Sequence, residues 1–411
     1  MKTTPLLLVL SAMLSFTQAS ADPVATAINH LGLDLYREQA VASPKQNLLL
    51  SPYSIQAALA MTYAGAAGET RAEMQRVLRY PTDDETVYAG FEKLAAALTP
   101  ATADAASEEA RSAPPVELNV AHRLFAERGF PVRPEYTTLL QNRFHAPLQE
   151  MDFKDHADAS RDTINTWVAA KTKNKITQLL DQLAPDTRLV LLNALYFRAT
   201  WDQPFTKEAT EPEPFSIGKN QTAPVPTMRA TRHFGYEDRR DYSLITLPYK
   251  GRTFQLVIVL PAATTTLAAI EKELTPQLFE ETAQLSSQNI SLHLPKFKIV
   301  PPSLRLNAAL KNLGMKTAFD EPLRSANFDR MSPRLPDRYL FISEVIHKSW
   351  LDLDENGTEA AAATAVLMKV GSAMRQSAPP PEVRVDRPFF FALQHIETGV
   401  CLFVGRVVDP R

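Results

Sequence analysis

The chain has 411 residues, 45% hydrophobic and 22% charged, with 44 Lys and Arg against 46 Asp and Glu for a net charge of −2. That balance excludes a disordered or collagen-like chain, and it offers no basic excess to hold nucleic acid or an anionic membrane surface. The single cysteine, Cys401, rules out an intramolecular disulfide and the common zinc clusters.

The first 21 residues read as a secretory signal peptide. Lys2 supplies the positive end, residues 6–14 are mostly apolar, and Ala19-Ser20-Ala21 offers small residues for cleavage before Asp22. The apolar run is too short to span a bilayer, and no other stretch approaches the length that would. The expected mature chain is a soluble monomer, secreted or periplasmic, with no membrane or nucleic-acid partner.

A first helix is expected over residues 24–39. Ser51-Pro52 then marks a helix start, with proline in the first turn where its missing N–H costs nothing. Ile55, Ala58, Leu59, Thr62 and Tyr63 recur at helical spacing until Gly65 ends the run. Residues 84–98 form an amphipathic helix with Val87, Phe91, Leu94 and Leu98 on one stripe. Its Asp84, Glu85 and Glu92 against a single Lys93 make this helix acidic, with no basic face for a polyanion. Residues 99–115, rich in Ala, Ser and Pro, read as a flexible loop.

Strands are expected over residues 118–125, 190–197, 256–260 and 290–297, and helices over 134–144 and 157–181. Ile290, Leu292 and Leu294 alternate with Ser291 and His293, as a half-buried strand requires. Helices dominate the first half and strands the second, which argues for one α+β domain over residues 22–411. Cys401 lies in the apolar run Val400-Cys401-Leu402-Phe403-Val404 and is expected to be a buried structural thiol.

Candidate chemistry is sparse. Gly65-Ala66-Ala67-Gly68-Glu69-Thr70 lacks the lysine of a phosphate loop and does not follow a strand. Asp352-Leu353-Asp354-Glu355-Asn356-Gly357 imitates a calcium loop, but its twelfth position is Ala363 where a bidentate Glu is needed. No G-x-S-x-G or H-E-x-x-H occurs, and the eight histidines are scattered. No cofactor, metal or catalytic set is expected, and the chain does not read as an enzyme.

The unusual stretch is residues 355–381. Thr358-Glu359-Ala360-Ala361-Ala362-Ala363-Thr364-Ala365 suits a helix by its alanines, yet the following residues tolerate a strand and Pro379-Pro380-Pro381 ends either. As a strand, Thr358, Ala360, Ala362 and Thr364 share one small, uncharged face that could pass over a packed core.

This segment resembles the proximal hinge of the inhibitory serpins. The family's other signatures follow in order. Ser51-Pro52-Tyr53-Ser54 with Ala58-Leu59-Ala60-Met61 and Gly65-Ala66 resembles its second helix. Asn193-Ala194-Leu195-Tyr196-Phe197-Arg198 with Trp201 resembles a central strand. Leu294-Pro295-Lys296-Phe297, Asp386-Arg387-Pro388-Phe389 and Phe403-Val404-Gly405-Arg406 resemble late strands, so the likeness covers residues 26–410.

The resemblance implies an α+β fold of three β-sheets and about nine helices, with an exposed reactive-centre loop over residues 355–381 that inserts into a sheet after cleavage. It implies an inhibitor of serine proteases, and of cysteine proteases as a wider class, and a sheet able to form loop–sheet polymers. The hinge would comprise Glu355, Gly357, Thr358, Ala360, Ala361, Ala362 and Ala363. Ser51, Ser54, Asn193 and His347 match a polar cluster that controls sheet opening, and Trp201 the aromatic where the loop first enters.

The family's spacing, 16 residues beyond Glu355, puts the reactive bond at Gly371-Ser372. Neighbouring bonds stay open: Val370-Gly371 for an elastase-like target, Met374-Arg375 for a chymotrypsin-like one, and Lys369-Val370 or Arg375-Gln376 for a trypsin-like one, with subtilisin-like enzymes also in range. Asn220, Asn289 and Asn356 head N-x-[ST] sequons. A glycan on Asn356 would obstruct insertion, so a host that does not N-glycosylate the protein, a bacterium, is expected.

Overall fold

The computed structural model describes residues 22–99, 116–146, 148–359 and 378–411. The expected signal peptide, all but Thr99 of the 99–115 loop, hinge residues Ala360, Ala361, Ala362 and Ala363, and candidate bond residues Lys369, Val370, Gly371, Ser372, Met374 and Arg375 lie outside them.

Nine α-helices are present among the described residues. The first, α1 (Pro23–Ala42), is capped by Asp22, whose carboxylate accepts from the Val24 N–H at 2.9 Å. Helix α2 (Pro52–Gly65) starts at Ser51 as expected, and all of its residues are buried, which explains its weak amphipathic pattern. Helices α3 (Gly68–Leu78) and α4 (Asp84–Leu98) follow. The predicted helix over 134–144 is α5 (Pro134–Leu139) continued by a π-helical turn, Leu140–Phe144.

One helix is shorter than its sequence suggests. The predicted 157–181 helix, α6, spans Ala157–Lys171 only. Lys173 and Asn174 both take positive φ, and Asn165 captures the backbone of the following segment, accepting from the N–H groups of Leu179 and Leu180 and donating to Leu180 O. These side-chain bonds outcompete helix continuation.

The site lies on an eight-stranded sheet centred on β4 (Leu189–Thr200). One edge of β4 pairs antiparallel with β2 (Glu117–Glu127), which carries β3 (Gln149–Met151) on its far side. The other edge is divided. Residues 189–195 pair parallel with β12 (Ile342–Ser349), whose far edge holds β11 (Leu304–Arg305). Ala199 and Thr200 pair instead with β14 (Gly357–Thr358), and beyond it lie β13 (Leu351–Asp354) and β10 (Phe297–Ile299).

Strand β4 is buried on both faces. Leu189, Leu191, Leu195 and Phe197 enter the main core beside α2, while Val190, Leu192 and Ala194 pack with Ile164 and Val168 of α6. Asn193 is the polar residue on the main-core side of this alternation. Helix α6 therefore lies on the face opposite α2, beside β2, and the segment after it reaches β12, where Lys348 Nζ donates to Gln178 O at 2.8 Å.

The remaining two expected sheets run together as one nine-stranded network because β6 (Gln221–Asp238) is long enough to serve both. It pairs with β5 (Glu211–Gly218), β7 (Tyr242–Pro248) and β9 (Ser287–Pro295) at different points along its length. Strands β8 (Phe254–Pro261), β16 (Phe389–His395), β17 (Cys401–Val407) and β1 (Leu48–Leu50) continue one side, and β15 (Glu382–Arg384) closes the other, parallel to β9.

Candidate functional site

The run that imitates a calcium loop is the β13–β14 hairpin. Asp354 Oδ1 accepts from the N–H groups of Asn356 at 2.7 Å and Gly357 at 3.3 Å, so the backbone occupies this carboxylate. Gly357 has φ +148, and a Cβ there would stand 2.8 Å from Thr200 Cα, so only glycine fits against β4. Of the expected hinge residues that are described, Glu355 lies in the hairpin turn, and Gly357 and Thr358 lie in the sheet, paired antiparallel to β13 on one side and β4 on the other.

Side chains from distant elements hold this hairpin. The Glu355 carboxylate, 4% exposed, accepts from Lys296 Nζ and Thr210 Oγ1, both at 2.8 Å. Burial pushes that carboxyl up, but these bonds outweigh it and keep it below the usual carboxylate range. Trp201 donates from its backbone N–H to Asn356 O at 2.8 Å and from Nε1 to Asp354 O at 2.9 Å. Its indole stacks on Tyr249 at 4.5 Å, and the Tyr249 hydroxyl pairs with Thr358 Oγ1 at 2.6 Å. Asn356, the head of the third sequon, is 9% exposed within this packing.

Beneath the hinge, β4 and β12 pair directly. The register sets His347 opposite Asn193, and His347 Nδ1 meets Asn193 Oδ1 across the seam. His347 Nε2 accepts from the Ser51 N–H at 3.0 Å, which ties the start of α2 to the seam. That leaves Nδ1 as the donor to Asn193. Complete burial drives the His347 ring down to about 3, so it is neutral. Ser349 Oγ adds a bond to Leu49 O at 2.7 Å.

The structure therefore brings Ser51, Asn193 and His347 into one network and sets Trp201 against the hinge. Ser54 stands apart: its N–H donates to Ser51 Oγ at 3.4 Å, but its own hydroxyl is buried without a partner among the described residues. Sequence reading missed Lys296, Thr210, Tyr249 and Ser349 as hinge and seam contacts. Lys296 lay inside a quoted motif, but nothing local marks its partner.

A strand continuing from Thr358 would run antiparallel to both β4 and β12 and would replace their parallel ladder of seven residue pairs with two antiparallel ones. Antiparallel pairing is the more stable per residue. Among the described residues no group of His, Cys, Asp or Glu stands together as a metal site.

Comparison with known proteins agrees with this geometry. The profile of the serpin (serine protease inhibitor) family matches residues 26–410. Serpin B6 of Pongo abelii is 36% identical over 95% of this chain and 100% of its own length. The leukocyte elastase inhibitor of Equus caballus is 33% identical with the same coverage. The crystal structure of Serpin48 from Tenebrio molitor superposes with a TM-score of 0.82 at 29% identity, covering 96% of this chain and 100% of that one.

Proposed function

Because the chain belongs to the serpin family, we propose that it is a suicide-substrate inhibitor of serine proteases, with cysteine proteases as a wider class. The observation that carries this reading is the position of Gly357 and Thr358, which form the first two residues of a strand aimed at the seam between β4 and β12.

The protease serine attacks a peptide carbonyl in the loop, an ester forms, and the peptide C-terminal to the bond leaves with the proton on its new amine. The freed segment then extends β14 down the seam. About sixteen extended residues at ~3.3 Å each span roughly 50 Å, enough to carry the esterified protease the length of the sheet. A dozen added ladder bonds at about 1 kcal/mol each, together with buried side chains, favour the inserted state by on the order of 10–30 kcal/mol. The native state is then held by a barrier and not by its free energy. Gly371-Ser372 is the favoured reactive bond, and the protein acts as a secreted or periplasmic bacterial monomer that carries no glycan on Asn356.

The test mixes the purified mature protein with elastase, chymotrypsin, trypsin and subtilisin, followed by denaturing gels and mass spectrometry. A covalent complex that survives denaturation, with a released C-terminal peptide, is the expected result, and the peptide's first residue identifies the bond. Cleavage without complex and without a gain in thermal stability would overturn the inhibitory reading.

A further inference from the structure

Glu359 is where the inserted strand stops. Its N–H still donates to Asp352 O at 2.9 Å, the bond a longer strand would make. Its own backbone is left-handed, with φ +48. An L-residue without a glycine's freedom holds that conformation only when its surroundings impose it.

Those surroundings centre on Lys175. Its ammonium lies 2.7 Å from Glu359 Oε1, with side-chain exposures of 35% and 19%. The same ammonium sits over the buried Trp350 indole, 4.6 Å from the ring centroid, at the junction of β12 and β13. Glu359 Oε2 is shut from solvent with no hydrogen-bond partner among the described residues. Lys175 is the one cation paired with this carboxylate among the described residues. Tyr196 of β4 borders it as a neutral hydrogen-bonding neighbour, and burial, then the Glu359 charge and that bond, push the phenol up.

Lys175 belongs to the irregular segment after α6. The two left-handed residues before it, Lys173 and Asn174, turn the chain so that its N–H donates to Thr172 O at 2.9 Å. This segment itself covers the β12 side of the seam: Ile176, Leu179 and Leu180 share an apolar cluster with Ile346 and Trp350, and Lys348 donates to Gln178 O. One ammonium thus joins the residue that follows β14, the segment covering the seam and the β12–β13 junction.

We propose that Lys175 is a positioning residue that halts the hinge at Thr358 by pinning Glu359 left-handed and tying it to the cover of the β4–β12 seam. Releasing the ion pair frees Glu359 to turn extended, and insertion proceeds from there. The inference rests on the insertion reading above. It assigns Lys175 control of the rate at which the sheet accepts a strand.

The experiment measures uptake of a synthetic peptide copying residues 358–371 by the intact full-length mature protein, read as a shift on native gels. Lys175→Ala should take up peptide at least fivefold faster than the parent, Lys175→Arg should resemble the parent, and Glu359→Gln should reproduce Lys175→Ala. Added salt should accelerate the parent more than Lys175→Ala, because only the parent has the Lys175–Glu359 pair to screen, while both keep Lys296–Glu355. A merely structural lysine would lower the unfolding midpoint without this salt-dependent rate. Equal uptake rates for the parent, Lys175→Ala and Glu359→Gln would overturn the proposal. If the parent traps no protease, the inhibitory reading fails, while the uptake rates still decide the role of Lys175.

Discussion

Ser51 and His347, 296 residues apart, meet through a 3.0 Å hydrogen bond in which the Ser51 N–H donates to His347 Nε2. The ring therefore accepts at one nitrogen and donates at the other, to Asn193 across the seam. A second proton would face a backbone donor, so the network tolerates only the neutral imidazole.

This fixes the sign of a pH dependence. The native ring titrates near 3 and the unfolded one near 6.5. Below 6.5 the unfolded chain takes up a proton that the folded chain refuses, so this contribution is complete above 6.5 and is lost as pH falls toward 3. At about 1.4 kcal/mol per unit, stability at pH 5 should be roughly 2 kcal/mol lower. Unfolding in urea at pH 7.5 and 5 should show this loss in the parent. His347→Gln, which does not titrate, should lack it.

Gly357→Ala should expel the hinge from the sheet. The added methyl would press into the Ala199 carbonyl and Thr200 Cα at an unfavourable φ, at a cost of about 1–3 kcal/mol confined to the hairpin. Hydrogen exchange should then quicken at the Trp201 and Phe205 amides, which bond to Asn356 O and Glu355 O. Unchanged protection there would show that the hinge stays seated.

Lys296→Met should weaken the hinge by leaving the Glu355 carboxylate buried with Thr210 as its remaining side-chain partner. A loss of roughly 2 kcal/mol is expected, at the low end for a buried charge because Lys296 itself is partly solvated. Adding Glu355→Gln should recover part of it, since no uncompensated charge then remains. A double-mutant cycle of thermal midpoints checks both statements.

Cys401 should be inert in the native protein. It is completely buried on β17, and that burial pushes the thiol well up, away from thiolate. Ellman's reagent should find no reactive thiol before denaturation and one after it.

Much of this architecture was legible in the amino-acid order. Ser51-Pro52 specifies a helix start because capping and a fixed proline φ are properties of neighbouring residues. The alternation around Ile290, Leu292 and Leu294 specifies a strand for the same reason. Glu355 and the small residues after it read as a hinge because a segment meant to pass between strands cannot carry bulk, and of them the structure describes Glu355, Gly357 and Thr358. The family resemblance named Asn193 and His347 as part of a cluster beneath the sheet and Trp201 as the aromatic at its entry, and the structure sets the first two across the β4–β12 seam and Trp201 against the hairpin.

Other features required the fold. Helix α6 stops at Lys171 because Asn165 reaches the backbone of residues that helical periodicity cannot mark as its partners. Glu355 finds Lys296 across 59 residues and Thr210 across 145, and Tyr249 finds Thr358 across 109. The missing hydroxyl bond of Ser54 and the reach of Lys175 to Glu359 are likewise decided by where whole elements settle. Local sequence determines backbone preference and which faces are apolar. Side-chain partnership depends on strand register and on the placement of α6 over the sheet, and those arise only when the entire core packs.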